Sequence, residues 1–161
     1  GDVYKRQLLR YQLYGGNQKV SILQEIDYLK TYIALRKLRM SERLRLHVEF
    51  PSELNELEIY PLLFLPLVEN AFKYVGGDYQ LDIIMKWKNS RISLFIRNSI
   101  PELSAEDEAL RKSVDERQRK GIGLVNLRRR LSLLYSNKHR LETRKEETEF
   151  VAELMIEIED I

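Results

Sequence analysis

The segment Pro66–Val75, PLVENAFKYV, is apolar enough for a buried helix, yet three polar residues interrupt it. On a helical wheel of about 100° per residue, Glu69 sets the origin, Lys73 falls at about 40° and Asn70 at about 100°. Leu67, Val68, Ala71, Phe72, Tyr74 and Val75 fill the rest of the circle. The polar residues thus share one wedge of a core helix. Burying an unpaired charge costs several kcal/mol, so the wedge faces water, a partner charge or a ligand. A Glu69–Lys73 ion pair at i, i+4 is worth only about 0.3–0.5 kcal/mol, and on this segment alone the pair and the ligand stay equally open.

Outward from this helix the pattern is an alternation of elements. Gly76-Gly77 stops it. YQLDIIMKWKN and RISLFIRNS then read as two strands joined by a tight Asn89-Ser90 turn. Upstream, LRLHVEF alternates strictly, with His47 on the outward face of a half-buried strand. Ser21 and Gln24 have capping-box spacing and open a helix to about Met40, with Ile22, Ile26, Leu29, Ile33 and Leu38 as a broken apolar stripe. Downstream, Glu102 to Lys120 is charged with scattered apolar residues, and reads as a mobile loop with a helical turn or two and a cap at Ser104. GIGLVNLRRRLSLLY predicts a helix with a Leu124, Leu127, Leu131, Leu134 seam. His139 falls in a turn, and HRLETRKE and EFVAELMIEIE close the chain as strands. The order predicts an α+β fold: a two-layer α/β sandwich whose mixed, mostly antiparallel sheet carries its helices on one face.

Two further motifs bear on the wedge. Lys120–Leu127, KGIGLVNL, places Gly121 and Gly123 at a helix start. Unpaired N–H groups there carry partial positive charge and suit phosphate, and glycines let its oxygens approach the backbone. Asn98 shares a strand face with Ile92, Leu94 and Ile96, so its amide points inward at the strand's end. It either reads the edge of a flat ligand or ends the strand in an Asx-turn.

Bulk properties bound the rest. The chain has 161 residues, 43% apolar and 32% charged, with a net charge of +2. This gives no bulk argument for nucleic acid or a membrane surface. It has no cysteine, which excludes disulfides and thiolate metal sites. Its longest apolar run, Tyr60–Val68, is short of the about 20 residues that span a bilayer. The opening DVYKRQ resembles the read-through of a transposon end used in preparing sequencing libraries, so residues 1–7 are expected to be non-native.

In this order, PLVENAFKYV, the inward Asn98 and KGIGLVNL resemble the N, D and G boxes of the GHKL ATPase superfamily. With LLRYQLY and EIDYLKTYIALRKLRM, they are similar to the C-terminal half of LytS-like sensor histidine kinases, from Leu8 onward. The resemblance implies a Bergerat-type ATP-binding domain over residues 21–161, preceded by a remnant of a dimerisation and phosphoacceptor helix with its linker at 8–20.

It also implies ATP and Mg²⁺ as cofactors. Asn70 would ligate the metal, Lys73 would offset phosphate charge, and Glu69 would polarise a water or the nucleophile, or hold Lys73. Gly121, Ile122, Gly123 and Leu124 would form the base of a lid running from Ile100 to Lys120, with Asn126 one turn on. Asn98 would meet the adenine amino group where the family usually carries an aspartate. Ile100 stands where it has a glycine, which puts nucleotide affinity in doubt.

The implied reaction moves the ATP γ-phosphate to a histidine on an upstream domain, since neither His47 nor His139 fits that role. The isolated chain is therefore not expected to autophosphorylate. Expected partners are a response regulator, of LytTR type, and a second copy in the full-length protein; no nucleic acid or membrane contact is expected of this segment. The setting implied is the cytoplasmic side of a membrane-anchored bacterial protein. A second reading is a GHKL nucleotide-binding interaction module without phosphotransfer. A third, nucleic-acid binding through LRRRL, competes with a solvated helix face whose Arg128–Arg130 pair with glutamates.

Overall fold

A computed structural model describes residues 18–54, 56–102 and 107–159. The segments 1–7 and 8–14 and the cap at Ser104, on which the sequence carried expectations, lie outside these residues. The elements are β1 (Val20–Ser21), α1 (Ile22–Arg39), β2 (Arg45–Glu49), β3 (Glu58–Ile59), α2 (Leu65–Tyr74), β4 (Gln80–Lys88), β5 (Arg91–Ser99), α3 (Glu108–Lys120), α4 (Ile122–Leu134), β6 (His139–Lys145) and β7 (Glu149–Glu157).

Five strands form one sheet in the order β2-β4-β5-β7-β6, parallel only at β2–β4, and β1 pairs with β3 in a separate two-residue ladder. Register places Ile83 opposite Ile96 and Met85 opposite Leu94, then Ile96 opposite Ala152 and Leu94 opposite Leu154. All of these residues are buried. One sheet face is thus a continuous apolar floor, and α2 packs on it over β4 and β5 while α4 packs on α2 and β6. Leu29, Phe72 and Leu131 lie at the centre of this core, essentially without exposure. Each such side chain contributes about 1.5–3 kcal/mol. The α+β two-layer architecture expected from the strand alternation is the one observed.

Local chemistry explains the elements. Ser21 Oγ accepts from Gln24 N at 3.1 Å, so the predicted cap starts α1. Asn89 and Ser90 take φ of 54° and 60°. Positive φ at both central residues makes the type I′ turn that matches strand twist in a two-residue hairpin.

Four expectations need correction. Leu38 is 80% exposed and leaves the apolar stripe, because it lies on the outward side of the last turn of α1, which ends one residue later. His139 is the first residue of β6, not a turn residue; its Nδ1–H donates to Tyr135 O at 2.6 Å. Glu108–Lys120 forms a 13-residue helix, not a loop with isolated turns. It is rich in Ala, Leu, Arg, Lys, Glu and Gln, which favour helix without needing an apolar stripe. The Arg128–Arg130 face is only partly solvated: Arg128 and Arg130 donate to the backbone carbonyls of Leu141, Pro61 and Leu62, and Arg130 also interacts with Glu25.

Candidate nucleotide site

α2 begins without a side-chain cap, since Phe64 and Leu65 at its start are buried in the core. Its entry loop is held instead by neighbouring helices. Leu62 N–H donates to Glu25 Oε1 of α1 at 2.9 Å. Arg130 of α4 donates to Pro61 O at 3.2 Å and Leu62 O at 3.4 Å. Tyr60 N–H donates to the Tyr135 hydroxyl at 3.1 Å. Leu62 adopts a left-handed φ of 64°, which this clamp enforces. The clamp fixes the rotation of α2 and hence the direction of its polar wedge.

That wedge lines a cleft of about 410 Å³ bounded by Tyr32 and Arg36 of α1, Glu69, Asn70, Lys73 and Tyr74 of α2 and its C-terminus, Arg117 of α3, and Gly121, Gly123 and Leu124 at the start of α4. Residues 69–73 and 121–124, some fifty positions apart in sequence, therefore share one cavity. Glu69 and Lys73 do not form the i, i+4 ion pair; Lys73 Nζ lies 5.3 Å from the Tyr74 ring centre. Although Glu69 as a residue is exposed, its carboxyl sits within the cleft. Lost hydration raises its pKa above the usual carboxylate range, with Arg36 opposing the shift. A second depression, about 470 Å³, lies on the outer sheet face among Lys86, Phe95, Arg140, Glu153 and Met155. It is a furrow between strands, and Arg140 there is already paired with Glu142.

The start of α4 has no side-chain cap and no acidic residue in its first turn. Gly121 O accepts from Leu124 and Val125 N–H at 3.1 Å each, which leaves the earliest N–H groups of the helix for another acceptor. A Cβ on Gly123 would meet nothing within 4 Å. Packing does not demand glycine at 123, so the missing side chain keeps space in the cleft. At Gly121 a Cβ would come within 3.0 Å of Arg117 O, so there the tight α3–α4 junction needs it.

Asn98 is 1% exposed and faces the core side of β5, as strand parity predicts. Its Oδ1 accepts from Gln118 Nε2 of α3 at 2.8 Å, and its Nδ2 donates weakly to Ser99 O at 3.4 Å. Neither Asn98 nor Gln118 lines the cleft; Arg117, the neighbour of Gln118 on α3, does. Ile122 is the first residue of α4, and Asn126 is exposed away from the lining residues. His47 is exposed beside Glu49 at 3.1 Å, and neither histidine lines the cleft.

Sequence reasoning missed Tyr32, Arg36, Arg117 and Gln118. Tyr32 and Arg36 stand one turn apart beside the α1 stripe, a spacing that no rule separates from a solvated face. Gln118 would have needed α3 to be recognised as a helix.

Among the described residues no cluster of three or more His, Cys, Asp or Glu side chains could chelate a metal. A metal here would have to be held by Asn70 and by its ligand's own oxygens. That suits Mg²⁺, which keeps several waters and takes few protein ligands.

Comparison with known proteins bears on this geometry. The family described as Histidine kinase matches residues 6–44. The sensor protein kinase HptS of Staphylococcus aureus strain USA300 is 29% identical over 140 residues, 84% of this chain and 27% of HptS. The chain thus spans about a quarter of the length of the curated relatives it matches. Among solved structures, the catalytic domain of the histidine kinase ThkA superposes with a TM-score of 0.54 at 18% identity, over 87% of this chain and 95% of that one. Acinetobacter baumannii AdeS gives 0.56 at 15% identity, over 99% and 76%. Full-length ShkA, solved in complex with AMPPNP, gives 0.60 at 14% identity, over 88% and 31%. The fold is shared with the catalytic domains of histidine kinases. In sequence, the chain is similar to sensor histidine kinases.

Proposed function

We propose that the cleft binds Mg-ATP and that the chain is the ATP-binding catalytic domain of a two-component sensor kinase of LytS-like type. The observation that carries this reading is the shared cavity of Asn70 and Lys73 with the uncapped N-terminus of α4. Lys73 supplies positive charge to the phosphates and the first N–H groups of α4 receive their oxygens. Asn70 offers a neutral oxygen to the metal. When bound, Mg²⁺ neutralises charge on the phosphates. Gly121, Ile122, Gly123 and Leu124 form the floor of the lid, Asn126 stands one turn behind, and Asn98 receives the base amino group once Gln118 yields. Glu69 faces the terminal phosphate and orients the incoming imidazole nitrogen, whose bond to phosphorus forms as the bond to ADP breaks. Such catalysis is positioning and charge neutralisation rather than covalent chemistry on the protein.

In this reading the accepting histidine lies on a domain upstream of Leu8, since the chain's two histidines are His47 and His139, and the full-length protein dimerises and hands its phosphoryl group to a LytTR-type response regulator. The domain works on the cytoplasmic side of a membrane-anchored protein. Among the described residues no helix is long and apolar enough to cross a membrane.

Calorimetric titration tests the site. ATP should bind in a magnesium-dependent way and in preference to GTP, and Asn70→Ala should remove the magnesium dependence with at least a tenfold loss in affinity. Equal affinity for ATP with and without magnesium would refute the role of Asn70. Supplying a histidine-bearing helical domain in trans separates a kinase from a nucleotide-binding interaction module: only the former yields phosphohistidine.

A further inference from the structure

We infer that Arg36, on α1 and outside all three sequence motifs, is a binding residue for the terminal phosphate of the nucleotide; this rests on the ATP-binding reading. Arg36 lines the cleft beside Tyr32, Glu69, Asn70 and Lys73. Its Nε is buried and has no hydrogen-bond partner. It forms no ion pair, and its guanidinium carbon lies 5.5 Å from the centre of the Phe72 ring.

A guanidinium stays protonated at any physiological pH and carries five donors in a planar fork. A buried donor on a permanent cation is costly to leave unmade, and stacking on one aromatic face does not satisfy an N–H. No group of the described residues supplies the acceptor, so it comes from a water or a ligand in the cleft. Phosphate oxygens match the fork in pairs. Arg36 interacts with the Glu69 carboxyl across the α1–α2 junction and with the Tyr32 hydroxyl one turn earlier on α1. Arg36 offsets the repulsion that Glu69 would exert on an arriving phosphate.

Position assigns the phosphate. The base end of the site is marked by Asn98 under Gln118 of α3, and α4 contributes the wall of Gly121 and Gly123. Arg36 stands on α1 and interacts across the cleft with Glu69, which the ATP-binding reading sets against the terminal phosphate. This geometry makes Arg36 a reader of phosphate number: it meets ATP and misses ADP.

The test measures dissociation constants of magnesium complexes of ATP and ADP for the unaltered chain, Arg36→Gln and Arg36→Lys. Arg36→Gln should weaken ATP by about tenfold or more and ADP by less than about twofold, which collapses the preference for the triphosphate. Arg36→Lys keeps the charge and most of the stem over Phe72 and should recover part of that preference; it also guards against a glutamine variant that fails to fold. Equal loss for ATP and ADP in both variants, or no loss, would overturn the inference and leave Arg36 as a packing residue on Phe72. Nucleotide binding that persists with an unchanged ATP-to-ADP ratio sinks Arg36 alone. An unaltered chain that binds neither nucleotide sinks the ATP-binding reading with it.

Discussion

Gln118→Ala should make adenine nucleotides bind more tightly while making the free protein less stable. Gln118 and Asn98 are each 1% exposed, and their amides are joined at 2.8 Å. A base amino group can reach Asn98 Oδ1 only after this bond breaks. A hydrogen bond of this kind is worth about 0.5–1.5 kcal/mol net, so deleting the competing donor should lower the dissociation constant by about 2- to 12-fold. In the free protein the same deletion leaves a buried acceptor without its donor, at about 1–3 kcal/mol. At about 2–4 °C per kcal/mol for a chain of this size, Tm should fall by about 2–12 °C. Calorimetric titration with Mg-ATP measures the gain, and thermal melts with and without nucleotide measure the loss and its recovery. Unchanged or weaker binding in Gln118→Ala would refute the reasoning, because Gln118 would then not occupy the seat of the base.

The other predictions concern the frame and charge of the site. Glu25→Ala removes the acceptor of Leu62 N–H, and with it the charge that opposes the desolvation of Arg130. It should cost about 1–3 kcal/mol in a denaturant titration, with weaker nucleotide binding because α2 loses its clamp. Glu69 has a folded-state pKa above its unfolded value. The native state therefore binds more protons through that range, and stability falls as pH rises from below the unfolded carboxylate pKa to above the folded one. Glu69→Gln should flatten that decline in a series of melts from pH 3 to pH 7, about the carboxylate range; an unaltered slope would show that the carboxyl is fully solvated. Gly77→Ala must place a Cβ at φ +63° and 2.7 Å from Ile100 O. The left-handed conformation alone costs about 1–2 kcal/mol, so a denaturant titration should show at least that loss.

Much of this was legible in the chain because two periodicities carry it. Alternation in LRLHVEF, RISLFIRNS and EFVAELMIEIE reports one buried face, and the sheet realises that face in β2, β5 and β7. The Glu69, Asn70, Lys73 wedge was visible because polar residues gathered on one side of a core helix call for water, a partner charge or a ligand. The helix α3 was not visible because it lies on the surface and its one recorded buried side chain is an amide. The two-residue strands β1 and β3 are too short for any period to show. Arg36 was hidden for a different reason: charged residues beside an apolar stripe are the rule on amphipathic helices, and only the cavity distinguishes it from Lys37 or Arg39.

The junction at Ser99 has a mechanical consequence. Ser99 O accepts from Gly76 N–H at 2.9 Å, Ser99 Oγ donates to Gly76 O at 2.6 Å, and Gln80 N–H donates back to Ser99 Oγ at 2.8 Å. Ile100 N–H is tied in turn to Thr148 O at 2.8 Å. The chain is thus riveted to α2, β4 and the β6–β7 hairpin immediately before the covering segment departs, and Gly121 marks where it returns. The helix α3 is mounted ahead of a fixed bracket at Gly121, with the Gln118–Asn98 bond as its tie to β5. Its exposed positions other than Arg117 can therefore change, through evolution or by design, with residues 69–73 and 121–124 of the cleft kept in alignment.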